Sequence, residues 1–121
     1  MEPRKILVAG ESKNMNRAYG MMLRQYPVVF ADDGREALQR VLDTYDVDLV
    51  LARLHLTYLD AAELVAKLRE SRGLEAPAVV VICHEGEEED TLRALQAGAA
   101  AYIKKPFTSE ELIYVIAHLE G

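Results

Sequence analysis

DVDLVLARLHLTYLDAAEL, residues 46–64, decides the fold. Behind Asp48, the run Leu49–Ala52 is apolar without clean alternation, as expected of a strand buried on both faces. Further on, Asp60 stands three positions before Glu63, and Ala61, Leu64, Val65 and Leu68 follow at helical spacing. That is an N-cap pattern opening an amphipathic helix. Strand, short loop and helix make half of a βαβ unit. At the joint stands Arg53, a permanent cation where more core, or a carboxylate, would be the ordinary continuation.

The same grammar repeats on either side. The apolar runs KILVA (5–9), PVVFA (27–31), AVVVIC (78–83) and AAYIK (100–104) supply four more strands. Helical spacing links Met15, Ala18, Tyr19, Met22 and Leu23, and again Leu112, Val115, Ile116 and Leu119. Leu38, Val41 and Leu42 mark another helix, and Leu92 and Leu95 a fifth. Asp33 with Glu36 and Thr108 with Glu111 repeat the capping pattern. Ser12 can open the first helix, and Gly73 and Gly98 sit where helices should end. Five βα units predict an α/β fold, a doubly wound parallel five-stranded sheet with right-handed crossovers.

Bulk properties bound the function. A chain of 121 residues, half of them hydrophobic, suits one domain over residues 1–121 with a single buried core. A net charge of −6 disfavours nonspecific nucleic-acid binding and anionic membranes. The lone Cys83 excludes an intrachain disulfide and suits a reducing, cytoplasmic setting. No apolar run approaches the roughly 20 residues of a membrane span.

In open α/β sheets, chemistry gathers at the carboxyl ends of the strands. Those ends carry Gly10, Glu11 and Ser12 after strand one, Arg53 after strand three, Cys83 and His84 after strand four, and Lys104 and Lys105 after strand five. Arg53 is a site residue by position. No nucleophile has a base beside it in this set, so an enzyme is not expected.

KILVAGES, FADDGREAL, the opening stretch, and above all EEEDTLRALQAGAAAYIKKPF together resemble the CheY-like receiver domains of two-component response regulators, across essentially the whole chain. The resemblance implies a flavodoxin/CheY-like (βα)5 fold with strand order 2-1-3-4-5. In that family a strand-three aspartate accepts a phosphoryl group, and an acidic pair after strand one helps hold Mg²⁺. A hydroxyl residue ending strand four and a lysine ending strand five contact the phosphoryl oxygens, and a strand-five aromatic responds to occupancy. By position, the acceptor falls on Arg53, the acidic pair on Gly10 and Glu11, the hydroxyl residue on Cys83, the lysine on Lys105 before Pro106, and the aromatic on Tyr102. The proline that commonly follows the acceptor by four positions is Thr57.

Three departures matter. Arg53 has no carboxylate to phosphorylate, Gly10 offers no metal ligand and Cys83 no hydroxyl. One carboxylate, Glu11, faces two cations. Replacing a negative by a positive charge about 5 Å from Mg²⁺ shifts the gross interaction by on the order of 10 kcal/mol at an effective dielectric constant of about 20. Millimolar binding is worth only about 4 kcal/mol, so neither Mg²⁺ nor phosphorylation at position 53 is expected. No cofactor or metal site is expected elsewhere.

The expected function is therefore a degenerate receiver, or pseudo-receiver, acting in phosphorelay-type signalling by protein–protein interaction. Its Arg53 would pair with Glu11, with help from Asp60, in the place of the metal. Asp60 as a displaced phosphoacceptor is set aside because helix capping already explains it. The competing reading is a small-ligand or anion sensor using Arg53 and Lys105. By resemblance, a protein partner or output domain would meet the face of residues 87–97, Tyr102, Lys104 and residues 109–119. The same face could support a homodimer. Direct nucleic-acid binding is not expected. Cys83 is expected to pack as a small apolar residue, His55 and His84 to be exposed, and EGEEED (85–90) to be a solvated helix start.

Overall fold

The structure, a computed structural model, describes residues 5–119. Five strands, β1 (Ile6–Ala9), β2 (Val28–Ala31), β3 (Leu49–Arg53), β4 (Ala78–Cys83) and β5 (Ala101–Lys104), form one parallel sheet in the order β2-β1-β3-β4-β5. They alternate with α1 (Lys13–Met22), α2 (Gly34–Asp43), α3 (Ala61–Arg72), α4 (Glu88–Ala97) and α5 (Ser109–His118). This is the flavodoxin/CheY-like arrangement that the resemblance implied. Among the described residues, no helix is long and apolar enough to cross a membrane.

Strand side chains point alternately to the two faces, and each face carries its own apolar cluster. Leu7, Val50, Val79 and Val81 pack with Ala37 and Val41 of α2 and Leu64, Val65 and Leu68 of α3. Ile6, Val8, Leu49, Leu51, Val80 and Ile82 pack with Tyr19 of α1 and Leu112 and Ile116 of α5. The continuous apolar runs are thus two alternating sets, each buried.

The helix starts follow the capping chemistry. Ser12, Asp33, Asp60 and Thr108 each accept the N3 backbone N–H. At α3 and α5 the N3 glutamate also accepts the cap residue's own N–H, closing the box. At α2 Glu36 instead accepts from Asp32 N. Gly73 and Gly98 end α3 and α4. The carbonyls left open at the end of α2 are met by Arg72, whose Nη2 donates to Val41 O at 2.6 Å and Thr44 O at 2.7 Å.

At the carboxyl ends of the sheet, Ala9 pairs with both Ala31 and Ala52, and all three face the α2–α3 side. Small side chains there let the loops drop close to the strands. Gly34 N donates to Thr57 O at 3.1 Å, and a β-carbon on Gly34 would collide with Leu59 O and lie 2.6 Å from Leu59 Cβ.

Leu92 and Leu95 mark α4, as their spacing predicted, but they do not form its core stripe. Thr91 and Ala94 are buried instead, while Leu92 is exposed and Leu95 half-buried. Leucine spacing alone could not choose between adjacent faces of a short helix.

Candidate functional site

β1 and β3 are neighbours, and β3 pairs with β4 so that Arg53 lies opposite Ile82. β4 pairs with β5 so that Cys83 lies opposite Lys104, and Lys105 N donates to Cys83 O at 2.9 Å. This register brings Gly10, Glu11, Arg53, Cys83 and Lys105 to one end of the sheet.

Glu11 is the centre of the site. Its side chain is 1% exposed and its carboxylate is fully engaged. Lys105 Nζ lies 2.9 Å from Oε1 and 2.7 Å from Oε2, and the Tyr19 hydroxyl donates to Oε2 at 2.6 Å. Pairing and hydrogen bonding of this kind offset the cost of taking a carboxylate out of water. Burial, and then the hydrogen bond to Glu11, hold the Tyr19 hydroxyl well above the ordinary tyrosine range, with Arg53 pulling it partly back.

The expected Arg53–Glu11 pair is only peripheral. Arg53 Nε stands 4.0 Å from Glu11 Oε1, and this buried Nε–H has no acceptor among the described residues. The Arg53 side chain as a whole is about one-third exposed. Asp60 does not help Arg53; its carboxylate caps α3. Nor is Glu11 a solvated loop acid. Lysine, shorter in reach and already fixed by the β4–β5 ladder, wins the contact.

Helical spacing puts Tyr19 on the buried stripe of α1 as core and does not reveal its part in the site. The signal in the sequence is that a buried tyrosine hydroxyl requires a partner, and Glu11 stands eight positions earlier, in the loop before α1. Its ring also packs near Phe107, at 6.2 Å between centroids.

Gly10 adopts φ +85°, a region that favours glycine. A β-carbon there would fall on Leu56 Cδ2 and lie 3.3 Å from Arg53 Cβ. Any side chain at this position would first have to displace the tip of Leu56. Cys83 is 2% exposed within the α2–α3-side core, its Sγ 3.7 Å from Ile103 O. Pro106, joined to Lys105 by a cis peptide, borders a shallow cavity with Met15, Met22 and Phe107.

Tyr102 and Lys104 line a cavity with Cys83 and His84, beside α4. Tyr102 is half exposed, and Lys104 Nζ lies 3.6 Å from Glu85 and 3.9 Å from Glu88. His84 and His55 are exposed, with His55 Nε2 3.5 Å from Glu87 and 3.4 Å from Asp90.

Fold and site define a doubly wound α/β domain with its polar residues at the strand mouths. A model of the response regulator receiver domain matches residues 6–117, and the chain belongs to this family, the receivers of two-component signalling. A CheY homologue of Campylobacter jejuni is 30% identical over 111 residues, covering 89% of this chain and 85% of that protein. ResD, a transcriptional regulatory protein of Bacillus subtilis, is also 30% identical over 111 residues, covering 90% of this chain but 45% of ResD. The chain spans 7 to 45% of three curated relatives that it matches, so in those proteins the receiver is one part of a longer chain. The receiver domain of the Pseudomonas aeruginosa sensor histidine kinase PA1611 superposes with a TM-score of 0.84 at 23% identity, covering 97% of each chain. That structure holds a magnesium ion coordinated in its active-site cleft.

The residues here do not fit such an ion. Glu11 has both oxygens engaged by Lys105 and Tyr19, Gly10 has no side chain to offer as a ligand, and Arg53 adds a cation. Among the described residues, no group of three His, Cys, Asp or Glu could hold a metal.

Proposed function

We propose that this receiver signals by protein contact, without aspartyl phosphorylation and without Mg²⁺. One observation carries the reading: the carboxylate nearest the position of the acceptor is already saturated by Lys105 and Tyr19, beside an arginine that cannot accept a phosphoryl group. The internal cation takes the role that a metal would have. In this reading the chain is a signalling module and not an enzyme, and its single thiol fits a reducing cytoplasm. Its partner, whether another protein, an output domain or a second copy, meets the face made by α4, β5 and α5, which includes Tyr102 and Lys104. This domain itself does not contact nucleic acid.

A second reading, an anion sensor built on Arg53 and Lys105, draws support from the buried, unpartnered Arg53 Nε. It is weakened by Lys105, whose charge is already spent on Glu11.

The test is intact mass after incubation with acetyl phosphate and Mg²⁺, beside an untreated sample and an Arg53→Asp variant. The expected result is an unchanged mass for the natural chain. Stable addition of one phosphoryl group would overturn the proposal and direct attention to Asp60. Phosphate binding that is lost in Arg53→Ala would favour the sensor.

A further inference from the structure

At the end of the sheet opposite Glu11, α3 stops at Gly73 and the chain turns through Leu74 and Pro77 into β4. A cavity of about 230 Å³ opens there, between this turn and the start of β5. Its floor is core: Val65 and Leu68 of α3 and Val79 of β4, all buried. On its rim stands Leu74, whose side chain is wholly exposed. An uncovered leucine beside an apolar cavity leaves both surfaces in water, and a shared apolar occupant would remove both from it. At roughly 30 Å³ per water, the space takes about seven or eight waters or a chain of about as many carbon atoms.

One charged side chain lines this cavity, that of Arg69. A β-carbon on Gly98 would lie 2.6 Å from Arg69 Nε and 2.8 Å from Cζ, so the glycine makes room for the guanidinium beside the α4–β5 turn. The other arginines of α2, α3 and α4 are engaged. Arg35 lies over Tyr58, Arg40 donates to Phe30 O, Arg72 donates to Val41 O and Thr44 O, and Arg93 pairs with Asp90. Among the described residues, the Arg69 guanidinium has no carboxylate, carbonyl or aromatic partner of this kind. The ends of α3 and α4 bring partial negative charge, but a full cation in direct contact outweighs it, and Arg72 already offsets the end of α3.

We propose that this cavity binds a small apolar carboxylic acid, its chain against Leu68, Leu74 and Val79 and its carboxylate on the Arg69 guanidinium. The site goes beyond the contact reading and shares no residue with the Glu11 end or with the face of α4, β5 and α5. A second copy of the chain is a poorer occupant. A stable interface covers roughly 800 Å² on each side, whereas this cavity is bounded by one short turn and two helix ends.

The experiment is an amide NMR titration of the full chain with octanoate, beside octylammonium and acetate. Octanoate should bind with a dissociation constant on the order of 1 mM and shift the amides of Leu68, Leu74, Val79 and Gly98. Octylammonium has the chain with the opposite charge, and acetate has the charge without the chain. Both should leave those amides in place at the same concentration. Arg69→Gln, at an exposed position, should weaken octanoate binding roughly tenfold, and Leu74→Ser by about threefold or more. The proposal is overturned if octanoate moves none of these amides at about ten times that concentration, or if octylammonium moves them as strongly. It is also overturned if Arg69→Gln binds octanoate as the natural chain does. A dimer in sedimentation that Leu74→Ser dissolves would assign the cavity to a second copy and sink the proposal. None of these outcomes involves a phosphodonor, so failure here leaves the contact reading to the mass measurement.

Discussion

At the residue scale, the chain's character lies in three side chains, Lys105, Tyr19 and Arg53, around one carboxylate. Glu11→Gln would leave the Lys105 charge half-buried against a neutral amide. It should cost about 2 kcal/mol or more in urea denaturation. Tyr19→Phe removes one donor to Glu11 and should cost about 1 kcal/mol. The tyrosine also carries a pH signature. Its proton is held more tightly in the folded chain than in the unfolded one. That contribution is therefore complete below the unfolded value of about 10 and is lost as pH rises beyond it. Urea midpoints for the natural chain should fall between about pH 9 and pH 11 more steeply than those of Tyr19→Phe. Arg53→Asp alone should not create a Mg²⁺ site, because Glu11 remains tied to Lys105 and Tyr19 and Gly10 supplies no ligand. Millimolar Mg²⁺ should leave that variant's thermal midpoint where it was; a clear rise would show that Arg53 is the sole obstacle.

At the scale of elements, caps and close approaches hold the loops that carry the site. Asp60 keeps its carboxylate on the first turn of α3 at 2.9 Å from Glu63 N, so Asp60→Ala should cost about 1 kcal/mol. Gly34 has an ordinary helical role but an extraordinary neighbour, the backbone of Leu59. Gly34→Ala would gain helix propensity and still destabilise, by about 1–3 kcal/mol, because backbone cannot step aside as a side chain can. Equal or greater stability in that variant would mean that the α2 start and the β3–α3 loop separate easily. These elements were legible beforehand because caps and periodicity are local: Asp60 and Glu63, or Leu64 and Leu68, declare themselves within a few positions. The orientation of α4 was not. A helix of three turns offers several plausible apolar stripes, and the sheet and α3 decided that Thr91 and Ala94 go inside and Leu92 out.

At the scale of the whole molecule, the sheet separates two cores. Leu51 belongs to the face covered by α1 and α5, and Leu64 to the face covered by α2 and α3. Each change to alanine should cost about 3 kcal/mol. The double variant should come within about 0.5 kcal/mol of the sum, since the two sites share no partners. A large coupling energy in the urea data would mean that the faces communicate through the strands. The order β2-β1-β3-β4-β5 also sets which charges can meet, because it places β1 and β3 side by side and hangs β5 beyond β4.

The sequence by itself determined the five βα units, the helix starts, the receiver resemblance and the absence of a carboxylate at position 53. Those depend on residue identity and on spacing over a few residues. Only the tertiary structure decided how Glu11 is neutralised. Glu11 and Lys105 are 94 positions apart, and whether Lys105 or Arg53 reaches the carboxylate depends on the strand register and side-chain direction. The same holds for Tyr19, an ordinary core residue by periodicity. Its hydroxyl becomes part of the site because the packing of α1 aims it at the one buried acid.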